Sequence, residues 1–119
     1  MEDISIIIEK LRKANLTISV AESCTGGRIA SKIVSFDGAS DFFLGGVVTY
    51  STTSKIRILN IEKKRIELYG VVSPEIAKDM SNAVKDLFGS DVSISITGNV
   101  GSKSGDGLSS VGQVFISIN

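Results

Sequence analysis

The chain has 119 residues, 42% of them hydrophobic, and a formal net charge of zero from 13 acidic and 13 basic side chains. That length supports one compact domain with a core but not two, and the balanced charge excludes a general attraction to nucleic acid or to an anionic membrane. No apolar run reaches the ~18 residues of a membrane span, and no secretory leader opens the sequence. The single cysteine, Cys24, excludes an internal disulfide; together these features predict a cytoplasmic protein. The chain contains no histidine. This removes Ser-His-Asp and Cys-His catalysis and His-ligated zinc. With one cysteine, thiolate zinc sites within the chain go as well, and any base must be Lys, Tyr, a carboxylate or water; no metal or other cofactor is assigned.

Ile4, Ile7, Ile8, Leu11 and Ala14 recur at helical spacing and predict a helix over residues 3–14. Asn15 can end it in a left-handed conformation. Residues 16–20 alternate, with Leu16, Ile18 and Val20 on one face, and predict the first strand. Ala21-Glu22-Ser23-Cys24-Thr25-Gly26-Gly27 follows, and then Ile29, Ala30, Ile33 and Val34 mark a second helix reaching about Phe36. Ser23 therefore lies where a strand turns into a helix. Asp37 to Ser40 read as a loop, Phe42, Phe43 and Leu44 as core, and residues 45–50 as a buried second strand. A polar turn, 51–54, leads to a short helix with Lys55, Ile56 and Leu59, and residues 62–69 are expected to be helical, with Gly70 ending them.

Ser73-Pro74-Glu75 is a strong helix start: a capping serine, proline at the first position and an acid in the first turn. The buried stripe of that helix reads Ile76, Ala77, Met80, Ala83, Val84, Leu87, and Gly89 follows its end. Val92, Ile94 and Ile96 alternate with Ser93, Ser95 and Thr97 in a third strand. Residues 98–112 form a loop rich in Gly and Ser, and 111–118 the last strand. No period repeats, which excludes a solenoid. Strands interleaved with helices predict an α/β domain with its sheet covered on both sides.

Ser23 admits two readings: a helix-capping serine, or a nucleophile whose oxyanion would face the N–H groups of Cys24 to Gly26. It does not sit in a G-x-S-x-G elbow. A serine nucleophile needs a base, and without histidine the best candidate is a buried lysine. Bringing a lysine from about 10.4 to roughly 8 takes about 3 kcal/mol of desolvation or like-charge repulsion. Lys55 follows the second strand by a short turn, and strand ends on one edge of an α/β sheet converge on a shared crevice. Tyr50 ends that strand and could relay a proton or orient Ser23. The plain alternatives are a solvated lysine and a half-buried strand aromatic. Glu22 could anchor Lys55, bind substrate or form a structural ion pair; Cys24 is a nucleophile or a small buried thiol. The loop from Thr97 could wrap a phosphate, although it lacks a P-loop signature.

Ala21-Glu22-Ser23-Cys24-Thr25-Gly26-Gly27, Gly46-Val47-Val48-Thr49-Tyr50-Ser51, Lys55, Gly70-Val71-Val72-Ser73 and Ile96-Thr97-Gly98 resemble, in order, the C-terminal domain of CinA, the competence/damage-inducible protein. Stand-alone members of that family are nicotinamide-nucleotide amidohydrolases. The resemblance covers nearly the whole chain as one domain, 1–119. It implies a three-layer α/β/α sandwich around a mixed or mostly parallel sheet. It also implies deamidation of nicotinamide mononucleotide to nicotinate mononucleotide and ammonia, a step of pyridine-nucleotide (NAD) salvage, without a metal. It makes Ser23 the nucleophile and Tyr50 and Lys55 its acid/base partners. Glu22, Cys24, Thr25, Gly26, Gly27, Thr97, Gly98 and Gly101 would hold the substrate.

Two departures stand out. The family loop reads Thr-Gly-Ile-Ala-Gly-Pro-x-Gly-Gly and closes with Lys-Pro-Val-Gly; here residues 97–105 lack the proline, and Ser109-Ser110-Val111-Gly112 lacks the lysine. The family also continues past the last strand, with an Arg-bearing strand and a final helix, so this chain is C-terminally shortened relative to it and one sheet face is expected to lack cover. That expectation predicts a homo-oligomer. It also supports a second hypothesis, a catalytically degenerate relative that binds a nucleotide or assembles with itself.

Overall fold

The computed structural model describes residues 3–100 and 111–119. The element order is α1 (Asp3–Ala14), β1 (Ile18–Glu22), α2 (Arg28–Val34), a 3-10 turn (Ala39–Asp41), β2 (Phe43–Val48), α3 (Thr52–Leu59), α4 (Lys63–Tyr69), α5 (Pro74–Phe88), β3 (Val92–Gly98) and β4 (Val114–Ile118). The strands form one sheet in the order β2-β1-β3-β4. β1 runs parallel to β2 and β3, and β4 is antiparallel to β3. The sheet is mixed, with helices on both faces.

Alternation along β1 sorts its side chains between two layers. Ile18 and Val20 join Ile8 and Leu11 of α1, Ile33 of α2 and Phe42 in one cluster. Ala21 joins Leu59, Ile61, Ile66, Ile76, Met80 and Val84 on the opposite side. All five residues of β1 are buried. The chain leaves β1 toward β2 on one side and returns to β3 on the other. That reversal makes the carboxyl ends of β1, β2 and β3 a topological switch point, where open α/β sheets keep a crevice.

Local chemistry fixes the helix ends. Ser73 caps α5 by accepting the Ile76 amide at 3.2 Å, with Pro74 at the first position. Asn15 and Asn60 take φ of 57° and 54° at the ends of α1 and α3.

Several expectations shift. The first strand is 18–22 rather than 16–20, because polar Glu22 pairs in the ladder with Val48 and Ile96, and Leu16 is exposed. The second strand is 43–48, and it is an edge strand whose side chains alternate between half-buried and exposed, not a buried one. Phe42 is core, but Leu44 and Leu87 are exposed. Gly46 lies against β1: a methyl group there would stand 2.8 Å from the Val20 carbonyl oxygen, so only glycine lets the strands meet in this register. The last strand begins at Val114 rather than Val111.

Candidate functional site

β1 delivers Glu22 and Ser23 to opposite sides of the sheet, so Ser23 faces the layer holding α3. The turn after Ser23 closes with the Gly26 amide donating to the Ser23 carbonyl at 3.1 Å. It then enters α2 through Gly26 and Gly27, at φ 61° and 110°. Gly27 needs its missing Cβ, since few side chains tolerate that backbone.

α3 brings the second group. Ser51 caps it by accepting the Ser54 amide at 3.0 Å, and Lys55, in its first turns, points back under the end of β1. The Lys55 amine donates to Ser23 Oγ at 2.9 Å, to the Thr49 carbonyl at 2.7 Å and to the Tyr50 carbonyl at 3.2 Å. Lys55 is 2% exposed and Ser23 6%. Burial pushes the Lys55 amine down to about 8, against a smaller opposing effect of Cys24. No carboxylate contacts this amine among the described residues. Near pH 8 it is therefore partly neutral. A neutral amine has two N–H bonds and one lone pair. With the two carbonyls taking the hydrogens, the lone pair is left for the Ser23 hydroxyl.

A cavity of about 390 Å³ opens over this pair. Of the residues expected at the site, Ser23, Cys24, Tyr50, Lys55, Thr97 and Gly98 line it. Tyr50 contributes its carbonyl to the lysine, while its side chain is 73% exposed at the cavity mouth. The Thr97 hydroxyl donates to the Val71 carbonyl at 2.9 Å, tying the end of β3 to the segment before α5. Cys24 is half-buried, and burial pushes its thiol up, so it is un-ionised at neutral pH. Of the three expected oxyanion donors, the Gly26 amide already has a local partner in the Ser23 carbonyl.

Glu22, Thr25, Gly26 and Gly27 do not line the cavity. Glu22 is 0% exposed and faces α2 instead. Its carboxylate accepts from Thr25 Oγ1 at 2.5 Å and from the amides of Gly27, Ile29 and Ala30 at 3.1, 3.0 and 2.9 Å. Burial alone would raise this carboxyl; those four donors outweigh it and hold the group below its ordinary value. Gly101 lies outside the described residues. Ser51, Thr52, Val71, Val72 and Asn99 also border the cavity; the motif segments 46–51 and 70–73 carried that information for three of them. A larger depression of about 510 Å³ between α3, α4 and α5 holds the Arg65–Asp79 ion pair but no nucleophile beside a base. Chemistry, not volume, therefore selects the smaller cavity.

Fold and cavity together define an α/β domain with a buried serine–lysine pair at the sheet's switch point. The family model described as the CinA C-terminal domain matches residues 2–119, and the chain belongs to that family. It is 42% identical to a CinA-like protein of Flavobacterium psychrophilum over 118 residues, 98% of this chain and 28% of that protein. It is also 42% identical to a putative competence-damage inducible protein of Moorella thermoacetica, over 92% of this chain and 26% of the relative. The chain thus spans about a quarter of the length of these curated relatives. The crystal structure of a competence or damage-inducible protein from Enterobacter asburiae superposes with a TM-score of 0.91 at 30% identity, over 95% of this chain and 71% of the other. The Agrobacterium tumefaciens competence/damage inducible protein gives 0.89 at 29% identity, over 96% and 69%. No helix among the described residues is long and apolar enough to cross a membrane.

Proposed function

We propose that this domain is a serine amidohydrolase that deamidates nicotinamide mononucleotide to nicotinate mononucleotide and ammonia, in the salvage of pyridine nucleotides in the cytoplasm. The observation that carries the reading is the Lys55 amine, buried and lowered to about 8, at 2.9 Å from the Ser23 hydroxyl. In this reading Lys55 takes the Ser23 proton as Oγ bonds to the carboxamide carbon. The tetrahedral adduct expels ammonia, which takes up the proton held by Lys55, and a nicotinoyl ester of Ser23 is left. Lys55 then draws a proton from water, hydroxide adds to the ester, and nicotinate mononucleotide leaves as Ser23 recovers its proton. Tyr50 lines the cavity with an exposed side chain, and this reading assigns it to donate to the leaving group. The nucleotide lies along Thr97, Gly98 and Asn99.

The test is ammonia release from nicotinamide mononucleotide by the purified chain. Turnover that disappears in Ser23→Ala and falls by about 10²–10⁴ in Lys55→Met is expected. Absence of turnover by folded wild-type protein overturns the reading. The altered loop sequence, without the family's proline and closing lysine, favours the second reading, a nucleotide-binding relative. That reading predicts thermal stabilisation by the same nucleotide without any ammonia.

A further inference from the structure

Glu22 ends β1 and immediately precedes Ser23, yet it takes no part in the cavity. Its charge is fully buried and contacts no cation among the described residues. A buried carboxylate is costly unless donors replace water, and here the donors are specific. Three are backbone amides at the entry to α2, the groups that a helix start leaves without intrahelical partners. The fourth is the hydroxyl of Thr25, inside the turn itself. One side chain thus grips both the middle and the far end of the turn that carries Ser23, while its own backbone is fixed in the ladder between Val48 and Ile96.

Resting on the serine–lysine reading above, we infer that Glu22 is a positioning residue for the nucleophile. By clamping the entry of α2 onto the end of β1, its carboxylate fixes the backbone of Ser23 so that Oγ stays within hydrogen-bond reach of the Lys55 amine. It acts through the turn and touches neither substrate nor the reacting atoms. Glutamine is nearly isosteric but places an N–H₂ where one oxygen now accepts an amide. Glu22→Gln therefore loosens the clamp without opening a cavity.

The experiment reads Ser23 directly, with a small fluorophosphonate. In that step Oγ bonds to phosphorus, fluoride leaves and the serine proton passes to Lys55, whatever the natural substrate. The wild-type chain is expected to label at Ser23, with a rate that rises through pH about 8 as Lys55 becomes neutral. Folded Glu22→Gln is expected to label about a hundredfold more slowly, the scale of a misplacement of about 1 Å. Its pH midpoint should be unchanged, because Lys55 keeps its surroundings. With nicotinamide mononucleotide the loss should fall on kcat and spare KM. Labelling of Glu22→Gln at the wild-type rate overturns the inference, as does a wild-type chain that never labels. If Glu22→Gln does not fold, Thr25→Val decides: it removes one donor and keeps the charge, so slower labelling supports positioning and an unchanged rate refutes it. A wild-type chain that labels but releases no ammonia sinks the amidohydrolase reading alone, and the labelling of the variants still judges the clamp.

Discussion

At the scale of single residues, Lys55 sets the pH behaviour of the domain. Its folded value of about 8 lies below the ordinary 10.5. Between those limits the unfolded chain binds the proton that the folded chain has released. Stability gained from this residue therefore rises with pH through that window, and the cost of burying the ammonium is fully present below it. The shift corresponds to about 3 kcal/mol. Urea unfolding of wild type and Lys55→Met at a series of pH values checks this. The wild-type chain should gain on the variant by that order as pH rises from 7 to about 11, and a constant difference would contradict the burial argument. In the proposed deamidation the amine acts in its neutral form, so ammonia release should rise over the same limb near 8. Thr49 offers a second test. Its hydroxyl is buried and has no hydrogen-bond partner among the described residues, although its carbonyl serves Lys55. Thr49→Val keeps the shape and the carbonyl and removes the unpaired group. A gain of about 1 kcal/mol, seen as a higher melting temperature, is expected; a loss would mean that the hydroxyl has a partner in solution.

At the scale of elements, the contact of α5 with the sheet shows what a sequence pattern conveys and what it does not. Along β3 apolar and hydroxyl residues alternate, both faces are covered, and the hydroxyl face is the deeper: Ser93 and Ser95 are 0% exposed. Ser93 donates to the Ser81 carbonyl at 2.7 Å, Ser95 to Ala77, and Ser19 of β1 to Val84 at 3.3 Å. Those carbonyls lie one helical turn apart along α5, and small side chains let the helix settle close enough to accept from each. Ser95→Val should destabilise by about 1–3 kcal/mol through overpacking and the lost bond, more than Ser95→Ala. Denaturant unfolding in which valine proves the milder change would refute close approach. The helix itself was legible to the residue, because Ser73-Pro74-Glu75 and Gly89 act locally. The strand limits were less so, since pairing with distant partners, not propensity, recruited Glu22 and released Leu16. At the site, residue type and the missing histidine made Ser23 and Lys55 candidates beside plainer readings, and the family resemblance brought them forward. The inward turn of Glu22 and the use of Tyr50 through its carbonyl depend on which face each atom takes, which the order of residues does not state.

At the scale of the whole molecule, the sheet is unevenly clothed. Helices α3, α4 and α5 and the residues they pack on fill one face, and on that side Ser117 of β4 bonds to Ser81 of α5 at 2.9 Å. The opposite face is covered by α1 and α2 over β1 and its neighbours, but the cover stops short of β4. There Val114, Ile116 and Ile118 are 38%, 63% and 74% exposed, in a row on an edge strand. Each such side chain contributes about 1.5–3 kcal/mol when fully buried, so the row favours contact over exposure. A second copy supplies the matching surface: a two-fold contact places the same three residues against themselves, and the zero net charge opposes no approach. We therefore expect the 119-residue chain to dimerise through this ledge. Sedimentation velocity over a concentration series should show the dimer. The double variant Ile116→Lys, Ile118→Lys should shift it to monomer while leaving intact the cavity, which neither residue lines. A wild-type chain that sediments as a monomer at every concentration would exclude self-pairing of this face, and a dimer that survives both lysines would place the contact elsewhere.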